Sequence, residues 1–274
     1  MSALPGRSSL LAVLLMTAAA LAQEAPNTPA ATRPADGQWY FRTRLQIESF
    51  DDDPRQVVDE LSRVTFRNSI AVGFGSRWSA ELMAPIEAEA RKGGSDEFGM
   101  GDPMLTVKGR LWQRDLGPVD SLRFAVILGA ELPSGHDELS SDSVDPVLGG
   151  VFTAIVGRHG VNAALRQKWN HGDLRPYAVP GDSSADALFW DLAYLYRLSP
   201  ELYAPETEAA TYLTVELNGL HESNSDHETI LRAGLLYEAR EWAFECTAGM
   251  PLIEDVDARM EREWSVEIGF RWLF

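Results

Sequence analysis

Along most of this chain, apolar and polar side chains alternate one by one. The last stretch shows it most clearly. Trp264, Val266, Ile268, Phe270, Trp272 and Phe274 fall on one parity, and Ser265, Glu267, Gly269 and Arg271 on the other. A period of two belongs to an extended strand, whose successive side chains point to opposite faces. The same pattern predicts strands at about 38–50, 63–74, 78–86, 101–113, 119–132, 144–157, 161–170, 186–197, 211–219, 229–238, 242–252 and 264–274. In the first, Trp39, Phe41, Leu45 and Ile47 oppose Arg42, Arg44, Gln46 and Glu48. In the second, Val64, Phe66, Ile70, Val72 and Phe74 oppose Thr65, Arg67 and Ser69.

Strands of about ten residues have the length a tilted strand needs to cross a bilayer. Their connections alternate in length. Long ones are expected at 51–60, 87–99, 133–143, 171–185 and 253–263, and short ones at 75–77, 114–118, 158–160 and 239–241. The segment 198–210 is long where a short turn is due. Strand length, parity and alternation together predict an all-β fold, a transmembrane antiparallel up-and-down β-barrel of about 12 strands over residues 38–274. The competing fold, a soluble sandwich or propeller, leaves that alternation unexplained. A mean hydropathy of −0.18 is no objection, because alternating strands average to a soluble-looking value.

Residues 1–22 read as a signal peptide, with Arg7, an apolar run over 10–20 and an Ala20-Leu21-Ala22 cleavage site. Residues 23–37 are rich in Ala, Pro and Thr and predict a flexible periplasmic lead-in. The expected location is the cell outer membrane. Outer-membrane lipid and lipopolysaccharide, a small-molecule solute, and the barrel assembly machinery acting on the C-terminal strand are the expected partners. The lone Cys246 can form no internal disulfide.

The net charge of −17 argues against nucleic acid, which needs clustered Lys and Arg. The parity sorts this charge. The polar face, taken as the lumen, carries Arg42, Arg44, Arg67, Lys108, Arg110, Arg123, Arg166, Lys168, Arg197, Arg232 and Arg271. Against them stand Glu81, Asp191, Glu216, Glu245 and Glu267, together with Glu48, Glu131 and Glu238. Acid is expected to concentrate in the outer loops, with Asp51, Asp52, Asp53, Glu87, Glu89, Asp96, Glu97, Glu138, Glu254, Asp255 and Asp257. Two readings of the mixed interior follow. Opposite charges either brace a filled lumen or line a selective path, and twelve strands fall between filled eight-stranded barrels and open sixteen-stranded porins.

Three short motifs fit a known family. Gly99-Met100-Gly101-Asp102 followed by Lys108, then Leu132-Pro133-Ser134-Gly135, then Glu216-Leu217-Asn218-Gly219 resemble, in order and spacing, segments of outer-membrane transporters associated with the meta-pathway of phenol degradation. The resemblance implies a barrel of about twelve strands that passes small hydrophobic or aromatic compounds, and it brings no catalytic residues.

One stretch suggests an enzyme instead. His221-Glu222-Ser223-Asn224 resembles the His-x-Ser-Asn of outer-membrane phospholipase A and lipid A deacylases, in which a His activates a Ser against a lipid ester. The expected orienting group on the next strand falls among Ala233, Gly234, Leu235 and Leu236, which cannot serve. His136, His159, His171 and His227 show no metal-ligand spacing, and no motif points to a cofactor.

Overall fold

A computed structural model describes residues 24–56, 58–172, 180–181 and 184–274. The expected signal peptide lies outside these residues, as does most of the expected loop 171–185.

Among the described residues, thirteen strands form one closed antiparallel sheet. They are β1 (Trp39–Asp51), β2 (Glu60–Phe74), β3 (Trp78–Lys92), β4 (Glu97–Met100), β5 (Met104–Asp115), β6 (Ser121–Glu131), β7 (Asp145–Val156), β8 (His159–Lys168), β9 (Ala187–Ser199), β10 (Ala209–Glu222), β11 (His227–Ala239), β12 (Trp242–Asp255) and β13 (Glu261–Leu273). Apart from β4 and β5, each pairs with its chain neighbours, and β1 pairs with both β2 and β13, which closes the ring. Both β4 and β5 pair with β3, so they are two halves of one barrel strand broken at 101–103, where Pro103 has no N–H to give the ladder. The barrel is therefore twelve-stranded, all-β and up-and-down.

The sequence parity holds around the ring. Every barrel strand presents large apolar side chains outward, such as Ile47, Phe66, Leu82, Leu128, Phe152, Leu192, Val215, Leu235, Phe244 and Ile268. A soluble protein rarely exposes one continuous apolar surface of this extent. Here the surface faces hydrocarbon, and ring closure satisfies the strand edges that lipid could not hydrate. Trp39, Trp78, Trp242 and Trp272 ring the short-turn end of this belt, and Trp190 and Trp264 mark the other. Gly109 gives the Trp78 ring its seat: a Cβ there would lie 2.4 Å from it.

The strands outrun their sequence boundaries at the loop end. The expected loop 87–99 is mostly strand, because β3 runs to Lys92 and β4 begins at Glu97. Glu89, assigned to that loop, is 3% exposed inside the barrel. A bulge at Glu263, opposite the Ser49/Phe50 step of β1, shifts the register of β13 and turns Arg262 inward. A second shift in β12, between its partners Thr229 and Ile230, precedes Glu254, which turns inward as well and accepts from the Arg262 N–H at 2.8 Å.

The expected periplasmic lead-in is a larger correction. Residues 24–36 do not trail from the barrel but lie inside it. Ala25, Ala30 and Ala31 are essentially without exposure, and the segment leaves through the short-turn end, where Asp36 bridges Gly73. Small side chains let the segment fit the lumen. Its backbone finds partners on the inner wall rather than in water, as every buried peptide group must.

Candidate functional site

The inner face of the barrel and the 24–36 segment make one polar system. Pro26 offers its carbonyl to Arg42 at 2.7 Å and to Arg44 at 3.3 Å. The Glu216 carboxylate accepts from the Asn27 N–H at 3.1 Å, from the Asn27 side chain at 3.3 Å and from the Thr28 hydroxyl at 2.8 Å. Lys108 donates to the carbonyls of Ala30 at 2.8 Å and Thr32 at 3.1 Å. The Ala31 N–H donates to the Thr153 hydroxyl at 2.8 Å. Arg271 reaches Glu24 at 3.3 Å. Apolar contacts add to these. Ala25 packs with Ala193, Leu195, Tyr212 and Leu236, and Ala31 packs with Ala125, Ile127, Val151 and Ala164.

On the loop side of this segment lies a cavity of about 410 Å³. Arg44, Arg67, Glu81, Arg166, Asp191 and Arg232 are on its wall. Arg166 pairs with Asp191 at 2.9 Å, and Glu81 accepts from the Tyr40 hydroxyl at 2.8 Å. Asn218 links Asp191 at 2.8 Å to Arg232 at 2.6 Å. Glu267 is shared by Arg44 at 3.7 Å and Arg67 at 3.9 Å. Arg42, Arg271 and Glu245 form a buried triad below the cavity, with contacts of 2.7 and 3.4 Å. Gly249 leaves the slot in which the Arg232 side chain lies, since a Cβ there would approach Arg232 Cγ to 2.6 Å.

Lys168, Arg110 and Arg123, also expected in the lumen, lie apart from the cavity. Lys168 pairs with Glu131 at 2.9 Å near the loop end. Arg110 donates to the Ser76 carbonyl at 2.9 Å at the short-turn mouth, and Arg123, in register with Gln113 and Thr153, lies towards the same end.

A second ionic network, missed in the sequence, lies at the loop end. Arg259 is wholly buried and meets Glu222 at 2.8 Å and Glu228 at 3.3 Å. Arg262 joins Glu228 at 3.2 Å to Glu48. Arg63 and Arg91 both clasp Glu89. Parity could have supplied Arg63, which shares a face with Arg67. Nothing local marks Arg259, which leaves the connection after β12 and turns inward. At the same end Phe50, Val58, Leu61 and Met260 make a small apolar core, with Arg262 over the Phe50 ring.

The three motif segments have structural work in this arrangement. Asp102 accepts from the N–H groups of Ser134, Gly135 and Ser141 and from the hydroxyls of Ser140 and Ser141, at 2.6 to 3.1 Å. The first motif thus pins the end of the second and the loop that follows it. Lys108, Glu216 and Asn218 hold the segment in the lumen.

The sequence-based esterase pair is not assembled. His221 is exposed on the outward face and its ring sits 6.2 Å from that of His227. The Ser223 hydroxyl accepts from the Asp186 N–H at 3.0 Å. Among the described residues no cluster of His, Cys, Asp and Glu is arranged to hold a metal ion.

A closed barrel with an apolar outer belt and a charged lumen defines the class: an outer-membrane β-barrel, located in the cell outer membrane. Within that class the chain belongs to the family described as "Putative MetA-pathway of phenol degradation", whose model matches residues 55–267. Among solved structures, the COG4313 outer membrane channel from Pseudomonas putida F1 is similar with a TM-score of 0.62 at 13% identity, covering 92% of this chain and 100% of that one. The β domain of the Bordetella autotransporter BrkA follows at 0.49 and 13% identity, over 87% of this chain and 100% of that one. The NanC porin matches at 0.47 and 12%, over 84% and 98%. No curated protein sequence matches the chain.

Proposed function

We propose that the barrel is an outer-membrane channel for small organic molecules, and that its 24–36 segment narrows the path. The observation that carries this reading is the partly filled lumen. A cavity of about 410 Å³ stands on the loop side of a segment held by specific hydrogen bonds, rather than by a continuous packed core. A barrel whose only task were to brace the membrane would gain nothing from a charge-lined space large enough for a small molecule. The family's description ties it to phenol degradation, and a small organic solute for this chain is consistent with that description.

Planar-bilayer recording tests the proposal. The intact protein should show small conductance steps, and deletion of residues 24–36 should enlarge them. A silent bilayer with both proteins, each shown to be folded by heat-modifiable migration on a gel, would favour the filled structural barrel and reject the channel. The esterase reading has its own test. Hydrolysis of a fluorogenic phospholipid by the intact protein, lost in Ser223→Ala, would revive it.

A further inference from the structure

The cavity has two chemically different arcs. One is cationic. Arg44 and Arg67 are register partners on β1 and β2, and the carboxylate they share, Glu267, stands 3.7 and 3.9 Å away, beyond hydrogen-bond distance. Arg67 also donates to Gln46, and Arg232 donates to the neutral amide oxygen of Asn218. Of the Arg and Lys side chains on the cavity wall, Arg42, Arg63, Arg166 and Arg262 have carboxylates of their own in Glu245, Glu89, Asp191 and the Glu48/Glu228 pair, and Lys108 is held by the Ala30 and Thr32 carbonyls. Among the described residues, Arg44, Arg67 and Arg232 are left at the centre with only the shared Glu267 carboxylate in reach of the first two.

The other arc is apolar. Met83 and Met104 are register partners on β3 and β5, and Ile127 and Val147 continue the arc on β6 and β7. All four occupy the inward parity, where a water-filled barrel carries polar side chains. Ile127 also packs on Ala31 of the lumen segment, which accounts for it. Met83 and Met104 remain partly exposed to the cavity. Paired, unbranched and polarisable side chains of this kind suit an apolar surface that accepts varied partners.

We propose that the cavity binds a small amphipathic organic anion, with its carboxylate on Arg44, Arg67 and Arg232 and its apolar body on Met83 and Met104. A volume of about 410 Å³ falls within the ordinary range for small-molecule sites. The guanidinium groups supply planar donors that match a carboxylate, and the methionine arc selects against a bare inorganic anion. The inference deepens the channel reading by naming the class of solute.

Ligand-observed NMR on the full mature protein, folded in detergent micelles, tests it with three probes: benzoate, acetate and benzamide. Benzoate should bind at least about tenfold more tightly than acetate, which lacks the body, or benzamide, which lacks the charge. Arg67→Gln should weaken benzoate about tenfold, and Met83→Gln together with Met104→Gln should weaken it while leaving acetate unchanged. Arg232→Gln serves as the cation variant if Arg67→Gln does not fold. Equal binding of acetate and benzoate would reduce the site to a generic cationic patch and overturn the proposal. Equal binding of benzamide and benzoate, or variants that bind like the intact protein, would overturn it too. The measurement needs no conduction. Benzoate binding in a barrel that passes no current keeps this site and sinks the channel, whereas current without benzoate selectivity does the reverse.

Discussion

Glu216→Ala should release the lumen segment without harming the wall. The Glu216 side chain lies on the inner face of β10, while its backbone stays in the ladder between Ala193 and Arg232. Its carboxylate receives three donors from Asn27 and Thr28. A hydrogen bond to a charged group contributes about 1.5–3 kcal/mol net. Water from the adjoining cavity can replace part of what is lost, so the low end for two of the three bonds is the safer figure, about 3 kcal/mol. That corresponds to about a 150-fold rise in the undocked fraction. Hydrogen exchange followed by mass spectrometry reads this directly, because the Asn27 and Ala31 N–H groups exchange only when the segment leaves Glu216 and Thr153. Protection over 24–36 should fall by about two orders of magnitude while strands β9 to β11 keep theirs. A fall of less than about fivefold would show that Glu216 is not an anchor. A parallel loss in the strands would show that the residue supports the wall instead.

Two further outcomes follow from the same geometry. Asp102→Ala removes an acceptor that serves five donors in the 134–141 loop, so it should cost about 3 kcal/mol or more. Its urea midpoint for loss of the folded gel band should fall, whereas an unchanged midpoint would mean the loop is not pinned there. Arg259→Met strips the cation from the buried Glu222 and Glu228, and breaking one side of a buried ion pair costs about 3–5 kcal/mol. Exchange should rise over 253–263 first, and removing all three charges together, with Glu222→Gln and Glu228→Gln, should recover much of the loss.

The alternation of Trp264 to Phe274, repeated through the chain, was enough to give the strands, their inward and outward faces, the apolar belt and the charged character of the interior. Each wall residue sees either hydrocarbon or lumen, and that single choice is written locally, with a period of two. Where a register shift breaks the period, as in β12 before Glu254, the local pattern left an inward residue among the outer-loop acids, and the bulge at Glu263 likewise turns Arg262 inward against the parity of Trp264 and Val266. Ring closure decided the rest. Arg42 meets Glu245, and Glu216 meets Thr28, only because the cylinder brings distant strands and the lumen segment together. Residues 24–36 carry no strand periodicity, since they touch the wall on several sides at once. Composition made them look like a loose lead-in, and their place inside the barrel follows from donors and acceptors that only the closed ring assembles.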